Sequence, residues 1–362
     1  MDGWTIFFIF FFTIAALVPA LWSIGGLIRG NRGFWPGVVG VGWAVVLMLV
    51  TIVGIATKWG GCSSGSATSA DAITCYNGTA ASGCKPDVWK VECGRSSPGC
   101  AAILPGAFCP KGQKPVFVFC EPFQSGGVKQ PWATWSDLSF IAAGLWLLWF
   151  LQYFAVPGTL RLDSAIDNPM ITIGWLSVTY GMIVIFMGPP SQWFHASIKE
   201  WAGWFDSMSV VIWLTFNAVY VWYMIIAAMW GRGRGIARPI TVLCFWLGLV
   251  ITFGAIGAKF PGARLIFYFI SGGLWGVAEV VYASVAASAN GVTYRRTWWL
   301  FVINVSVLAV TMGIWIFFND GIVKTGCIGR QDIPGHAFFH ILASFSTMLT
   351  FLSFASERRV SS

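Results

Sequence analysis

Long apolar runs separated by short polar connections make up most of this 362-residue sequence. A helix that crosses the hydrocarbon core of a membrane needs about 20 mostly apolar residues. Runs of that length predict nine membrane-spanning helices, at 4–28, 34–57, 132–156, 170–194, 204–231, 239–258, 265–286, 297–319 and 334–356. Because these runs are about twice as long as a membrane β-strand, the pattern predicts an all-α polytopic membrane protein.

Composition narrows the class of protein further. Hydrophobic residues make up 57% of the chain and charged residues only 10%, and the mean hydropathy is +0.72. Soluble domains carry about 25% charged residues. The sequence therefore excludes a cytosolic enzyme, a disordered chain and a nucleic-acid-binding protein, despite a net charge of +8.

The distribution of arginine predicts how the helices are oriented. Four alternate connections and the tail carry arginines. In chain order these are Arg29 and Arg32; Arg161; Arg232, Arg234 and Arg238; Arg295 and Arg296; and, in the tail, Arg358 and Arg359. Short loops rich in lysine and arginine face the cytoplasm. The amino terminus is then expected outside (or in the lumen) and the carboxyl terminus in the cytoplasm.

A long polar segment with many cysteines interrupts the helices at 58–131. It contains seven cysteines, Cys62, Cys75, Cys84, Cys93, Cys100, Cys109 and Cys120, and the predicted orientation places Cys327 on the same outer side. An even number of cysteines in an oxidising compartment favours disulfide bonds, although a metal-binding knuckle is the alternative. Cys244, inside a predicted span, is expected to stay a free thiol.

These features divide the chain into three parts. We expect residues 1–57 to form an amino-terminal transmembrane hairpin, residues 58–131 an extracytoplasmic segment for which disulfide bonds are favoured, and residues 132–362 a seven-helix membrane core. The core does not need the hairpin or the cysteine-rich insert, and this excess favours an interaction with a membrane-protein partner. Glu279, a carboxylate well inside a span, is expected to have a structural partner, with a proton relay as the alternative.

All three histidines of the chain are predicted to lie at the outer membrane level. His195 ends the fourth span, and His336 and His340 share one face at the start of the ninth. Asp206 begins the fifth span at the same level, and Ser191 precedes His195 by one helical turn. Three histidines with an open coordination position are typical of a catalytic zinc site, whereas a lone histidine at a membrane interface is more often a packing residue.

The arrangement of these residues resembles the CREST superfamily of seven-helix membrane hydrolases. The motifs are Ser191-Gln-Trp-Phe-His195, Asp206 eleven residues later, and Gly335-His336-Ala-Phe-Phe-His340. They fall on the second, third and seventh helices of the core, as the superfamily pattern requires. The resemblance covers about residues 115–357 and is closest to alkaline ceramidases.

The resemblance implies a role for each residue. His195, His336 and His340 would be zinc ligands, Asp206 the general base toward the attacking water, and Ser191 a group that positions the water or stabilises the oxyanion. Cys120-Glu121 and the segment from Pro131 to Leu138 also resemble the ceramidase entry segment, in which an asparagine stands where this chain has Asp137. The acidic and asparagine residues that accompany the glutamate in the ceramidase calcium site are absent here, which argues against a bound calcium.

The function implied by this resemblance is cleavage of the amide bond of a ceramide-like membrane lipid. An acyl-ester lipase of the GPI-remodelling type is one alternative, because those enzymes also carry an outer cysteine-rich segment. A receptor-like or assembly subunit that keeps the metal site without turnover is the other.

Overall fold

A computed structural model describes residues 3–28, 35–57, 121, 128, 130–154, 168–172, 174–197, 200–230, 239–260, 263–286, 292–318 and 333–361. Nearly all of them are helical. The helices are α1 Gly3–Ile28, α2 Trp35–Ala56, α3 Pro131–Ser136, α4 Leu138–Phe154, α5 Pro169–Thr172, α6 Gly174–Ser197, α7 Glu200–Trp230, α8 Pro239–Lys259, α9 Ala263–Ala286, α10 Trp298–Phe317 and α11 Gly335–Ala355. Cysteines 62–120 and Cys327 lie outside the described residues, whereas Cys244 is a free, exposed thiol in α8, as predicted.

Eight of the nine predicted spans are helices long and apolar enough to cross a membrane. The protein is therefore an all-α polytopic membrane protein in its described part. The predicted fourth span corresponds to α6, a helix of 24 residues whose second half is polar and contains Pro189 and Pro190. The helix continues through both prolines to Ser197, so the prolines do not end it.

The predicted third span is two helices, since α3 ends at Ser136 and α4 begins at Leu138. Asp137 occupies the turn between them. This turn packs directly against α6, because a Cβ added to Gly188 would lie only 2.7 Å from the carbonyl oxygen of Asp137. About two turns further along these helices, a Cβ on Gly144 would lie 2.8 Å from the carbonyl oxygen of Gly181. Glycine at these positions lets α3, α4 and α6 approach closely, as small residues do in membrane bundles.

The amino-terminal hairpin is joined to the core by tryptophan N–H groups. Trp146 of α4 donates to the carbonyl of Ala15 in α1 at 2.9 Å. Trp193 of α6 donates to the hydroxyl of Thr51 in α2 at 2.8 Å. Both helices of the hairpin thus contact the core. Trp193, which contacts Thr51, is two residues before His195.

A short antiparallel ladder departs from the all-helical prediction. β1, Val292–Arg295, pairs with β2, Arg358–Ser361, with Arg295 opposite Arg358. The ladder lies outside the spans, and it places the connection before α10 and the tail after α11 at the same end of the bundle.

A buried ionic group, here called the arginine cluster, lies beside this ladder. Arg296 contacts Glu279 of α9 at 2.7 Å and Glu357 at 3.2 Å, and its guanidinium lies 4.1 Å from the centre of the Tyr282 ring. Burial alone would lower the pKa of Arg296, but the charges of Glu279, Tyr282 and Glu357 hold it above its ordinary value. Glu279 therefore has the structural partner that its position in a span predicts, and Arg296 is a packing residue rather than a solvated loop charge.

Candidate metal centre

The three histidines converge at one end of the bundle, and we call them the histidine cluster. One nitrogen from each of His195, His336 and His340 lies within 4.8 Å of the other two. The ring centres are 4.5 Å apart between His336 and His340, and 4.9 and 5.1 Å from His195 to these two. The convergence follows from the fold, because His195 is in the last turn of α6, and His336 and His340 occupy successive turns at the start of α11.

The histidine cluster is shielded from solvent. His195, His336 and His340 are 1%, 4% and 2% exposed, and Ser191 is 4% exposed. Asp206 is only half-buried. The three imidazoles therefore lie inside the bundle rather than on its surface.

His340 is oriented by three groups around its Nδ1 atom. The Ser136 hydroxyl lies 2.9 Å away, a carboxylate oxygen of Asp137 3.0 Å away and the carbonyl oxygen of Ala133 3.2 Å away. A carbonyl oxygen can only accept a hydrogen bond, so the hydrogen of the neutral ring is placed on Nδ1. The lone pair of Nε2 is then available for a metal ion.

His195 is held in the same way by a different residue. Its Nδ1 donates to the side-chain carbonyl of Gln130 at 2.8 Å, and the backbone N–H of Gln130 donates to the backbone carbonyl of His195 at 3.0 Å. This pairing again leaves Nε2 for coordination. Metal-ligating histidines almost always make such a bond through their second nitrogen.

Ser191 and Asp206 lie at the rim of the histidine cluster. Ser191 is close to the carboxylates of both Asp137 and Asp206, and His340 lies within the electrostatic field of both. The structure thus brings together all five residues that the sequence singles out. An arrangement of three imidazoles, a carboxylate and a hydroxyl can bind a divalent cation and activate water next to it.

Two residues that contact the histidines, Gln130 and Asp137, are not among those that the sequence singles out. Gln130 had no signal, since a glutamine before a proline is an ordinary helix start. Asp137 had one signal, because it is an acidic residue where the resembled ceramidase segment has asparagine.

Glu121 has a helix-capping role in this structure. Its two carboxylate oxygens accept the backbone N–H groups of Trp132 and Ala133 at 2.5 and 2.9 Å. These contacts satisfy backbone amides at the start of α3 that have no acceptor within the helix. The expectation that Glu121 is not part of a ceramidase-like calcium site stays a prediction, and the capping contact is compatible with it.

The donor set of the histidine cluster fits zinc. Zinc takes imidazole nitrogen at about 2.0–2.1 Å, and catalytic sites use three protein ligands and keep a fourth position open. The two Nδ1 hydrogen bonds described above supply the tautomer that such ligands need.

Comparison with known proteins gives no independent identification, since no family model, curated protein or solved structure matches the chain. Function is therefore inferred from the geometry of the histidine cluster and from the motif resemblance.

Proposed function

We propose that the protein is a zinc-dependent intramembrane hydrolase of the CREST type that cleaves the amide bond of a ceramide-like lipid. The observation that carries the proposal is the convergence of three buried histidines with Asp206 and Ser191 inside a polytopic membrane protein. Ionisable groups within a membrane are costly to bury and usually serve function.

The proposed topology has nine spans, with α6 as the span that the length and hydropathy criteria leave out. A helix of 24 residues is long enough to cross, and its polar half carries Ser191 and His195 into the bundle. The pairing of β1 with β2 supports a common side for two of the basic segments. With that side cytoplasmic, the histidine cluster lies at the outer leaflet.

Zinc at His195, His336 and His340 would act as a Lewis acid and lower the pKa of water toward neutrality. Asp206 would accept the proton of the attacking water, and Ser191 would donate a hydrogen bond to the oxyanion that develops on the lipid carbonyl. In the net reaction the hydroxyl of water joins the acyl carbon, the carbon–nitrogen bond breaks, and the amide nitrogen leaves as an amine carrying the proton.

The half-buried position of Asp206 supports entry of a lipid from the side of α7. Trp201, five residues earlier on α7, is 38% exposed, and Trp204 and Phe205, between it and Asp206, are partly buried. Aromatic rings at this level are typical of the membrane interface. An acyl-amide lipid could therefore place its carbonyl beside Asp206 while its chains stay in the bilayer.

The test is lipid turnover by zinc-loaded protein in vesicles that contain a ceramide, a diacyl phospholipid and a GPI lipid. We expect fatty acid release from the ceramide, measured by mass spectrometry, and its loss in Asp206→Asn protein that retains zinc.

The other results would contradict the amidase proposal in distinct ways. Release from ester lipids alone would identify an acyl-ester lipase. Release from no lipid by protein that holds zinc would identify a receptor-like or assembly subunit, for which the hairpin and the insert would provide the partner contacts.

A further inference from the structure

The turn between α3 and α4 brings a second carboxylate to the histidine cluster. Asp137 is 0% exposed, and its Oδ1 lies 3.0 Å from Nδ1 of His340. Ser191 of α6 lies beside the same carboxylate, and Asp206 of α7 acts on it electrostatically. The turn, α6 and α11 therefore meet at this one side chain, and a carboxylate of α7 lies within its electrostatic range.

Burying this carboxylate is unfavourable unless a positive charge lies next to it. The penalty for a buried ion is several kcal/mol even after relaxation. Within the described part of the chain, no lysine or arginine forms an ion pair with Asp137, and its ionisable neighbours are His340 and Asp206. A cation held by the histidine cluster would supply the missing positive charge.

The backbone at this turn is held firmly. The N–H of Phe140 donates to the carbonyl of Asp137 at 3.1 Å, and Gly188 of α6 packs against the same carbonyl. Because its backbone is held in this way, the Asp137 carboxylate can fix the orientation of the His340 ring that it contacts. This is the arrangement of a carboxylate–histidine–metal triad, in which the carboxylate orients the ligand and makes it more basic.

We propose that Asp137 is a positioning residue that orients His340 and raises the zinc affinity of the site. The inference rests on the zinc site of the proposed function but not on the identity of the lipid. It concerns a position where this chain departs from the ceramidase segment that it resembles, so that exchange for asparagine restores the residue of that segment.

The experiment measures zinc affinity, by competition with a chromophoric chelator, in full-length protein purified in detergent. Loss of an outer-shell carboxylate typically costs about 10–100-fold in metal affinity, and we expect a loss of that size for Asp137→Ala. Asp137→Asn should lose less, because the amide oxygen still accepts from Nδ1 of His340 without bringing a charge. In protein loaded with Co²⁺, the visible absorption bands should shift in Asp137→Ala, since they report the ligand geometry around the ion.

Glu279→Gln is the matched control, because it exchanges another buried carboxylate at the other end of the bundle. It should leave zinc affinity and the Co²⁺ spectrum unchanged even if it lowers thermal stability, since distant sites act independently.

Wild-type affinity and an unshifted spectrum in Asp137→Ala would overturn the inference, whatever the lipid assay shows. If Asp137→Ala is not recovered as folded protein, Asp137→Asn decides by the same criterion. A wild type that binds zinc tightly but hydrolyses no lipid would overturn the proposed function and leave the role of Asp137 standing.

Discussion

The histidine cluster and the arginine cluster are both buried groups of ionisable side chains, and α11 separates them. His336 and His340 are in its first two turns, whereas Glu357 follows its end. In the arginine cluster, the guanidinium bonds two carboxylates directly and is covered by the Tyr282 and Phe354 rings. Beside the histidine cluster, the carboxylates of Asp137 and Asp206 form no ion pair with an arginine or lysine among the described residues.

Under the proposed function, this difference distinguishes a group that stabilises the fold from a group that binds a metal ion. The arginine cluster supplies its own opposite charges, so its energy comes from contacts within the protein. The histidine cluster presents nitrogen lone pairs beside two carboxylates, and in the proposed function a cation from outside the chain balances them. Predictions on the two clusters should therefore separate into effects on stability and effects on metal and turnover.

The largest effect is expected from Asp206→Asn on turnover. An amide cannot accept the proton of water, and general bases contribute about 10²–10⁴-fold, so fatty acid release should fall by that factor while zinc content stays the same. Single-turnover kinetics of the zinc-loaded protein in lipid vesicles would measure the loss of rate. Equal rates in wild type and Asp206→Asn, with zinc in both, would remove Asp206 from the mechanism.

Breaking the arginine cluster should instead affect the fold. Arg296→Met leaves Glu279 and Glu357 buried without their cation, and removal of one partner of a buried pair costs about 3–5 kcal/mol. The free energy of unfolding, measured by titrating the protein from mild detergent into dodecyl sulfate, should fall by that amount. Folded Arg296→Met should still bind zinc with wild-type affinity, and a loss of affinity would show that the two clusters are coupled.

Ser191→Ala should have a smaller effect within the histidine cluster. Loss of a single oxyanion donor costs about 10²–10³-fold in a well-studied protease. We expect only about 10-fold here, since the proposed site provides other stabilisation for the oxyanion. Turnover should therefore fall in the order wild type, Ser191→Ala, Asp206→Asn, and the reverse order of the two variants would exchange their roles.

The smallest effect is expected from the contact between the hairpin and the core. Thr51→Val removes the hydroxyl that accepts from Trp193, and a typical hydrogen bond contributes about 1 kcal/mol to stability. The same dodecyl sulfate titration measures this change, with Thr57→Val at the exposed position directly after α2 as control. A change as large as that of Arg296→Met would mean that the hairpin is essential to the core.

Much of the fold was predictable because membrane helices are encoded locally. Twenty consecutive apolar residues specify a span without help from the rest of the chain, and the eight helices that qualify agree with predicted runs. The histidines were predictable for a related reason, since their depth follows from their place at span ends. The small ladder of β1 and β2 was not, because four-residue strands carry no periodic signal of their own.

The missed features all depend on contacts between residues far apart in the sequence. Asp137 and His340 are 203 residues apart, and no spacing rule connects a turn before α4 to the first turns of α11. Arg296 was interpreted as a loop charge, because the sequence does not show that Glu279 and Glu357 face it. In both cases the sequence shows the charge of the side chain but does not show which distant residue it contacts.

Metal analysis of the purified protein tests the central claim most directly. Elemental analysis of wild type should find one zinc per chain, and the protein with His336→Ala and His340→Ala together should contain none, because one histidine is left of three ligands. Glu279→Gln protein, altered only in the arginine cluster, should keep its zinc. Wild type that takes up no zinc, or full retention of zinc in the double variant, would contradict the account.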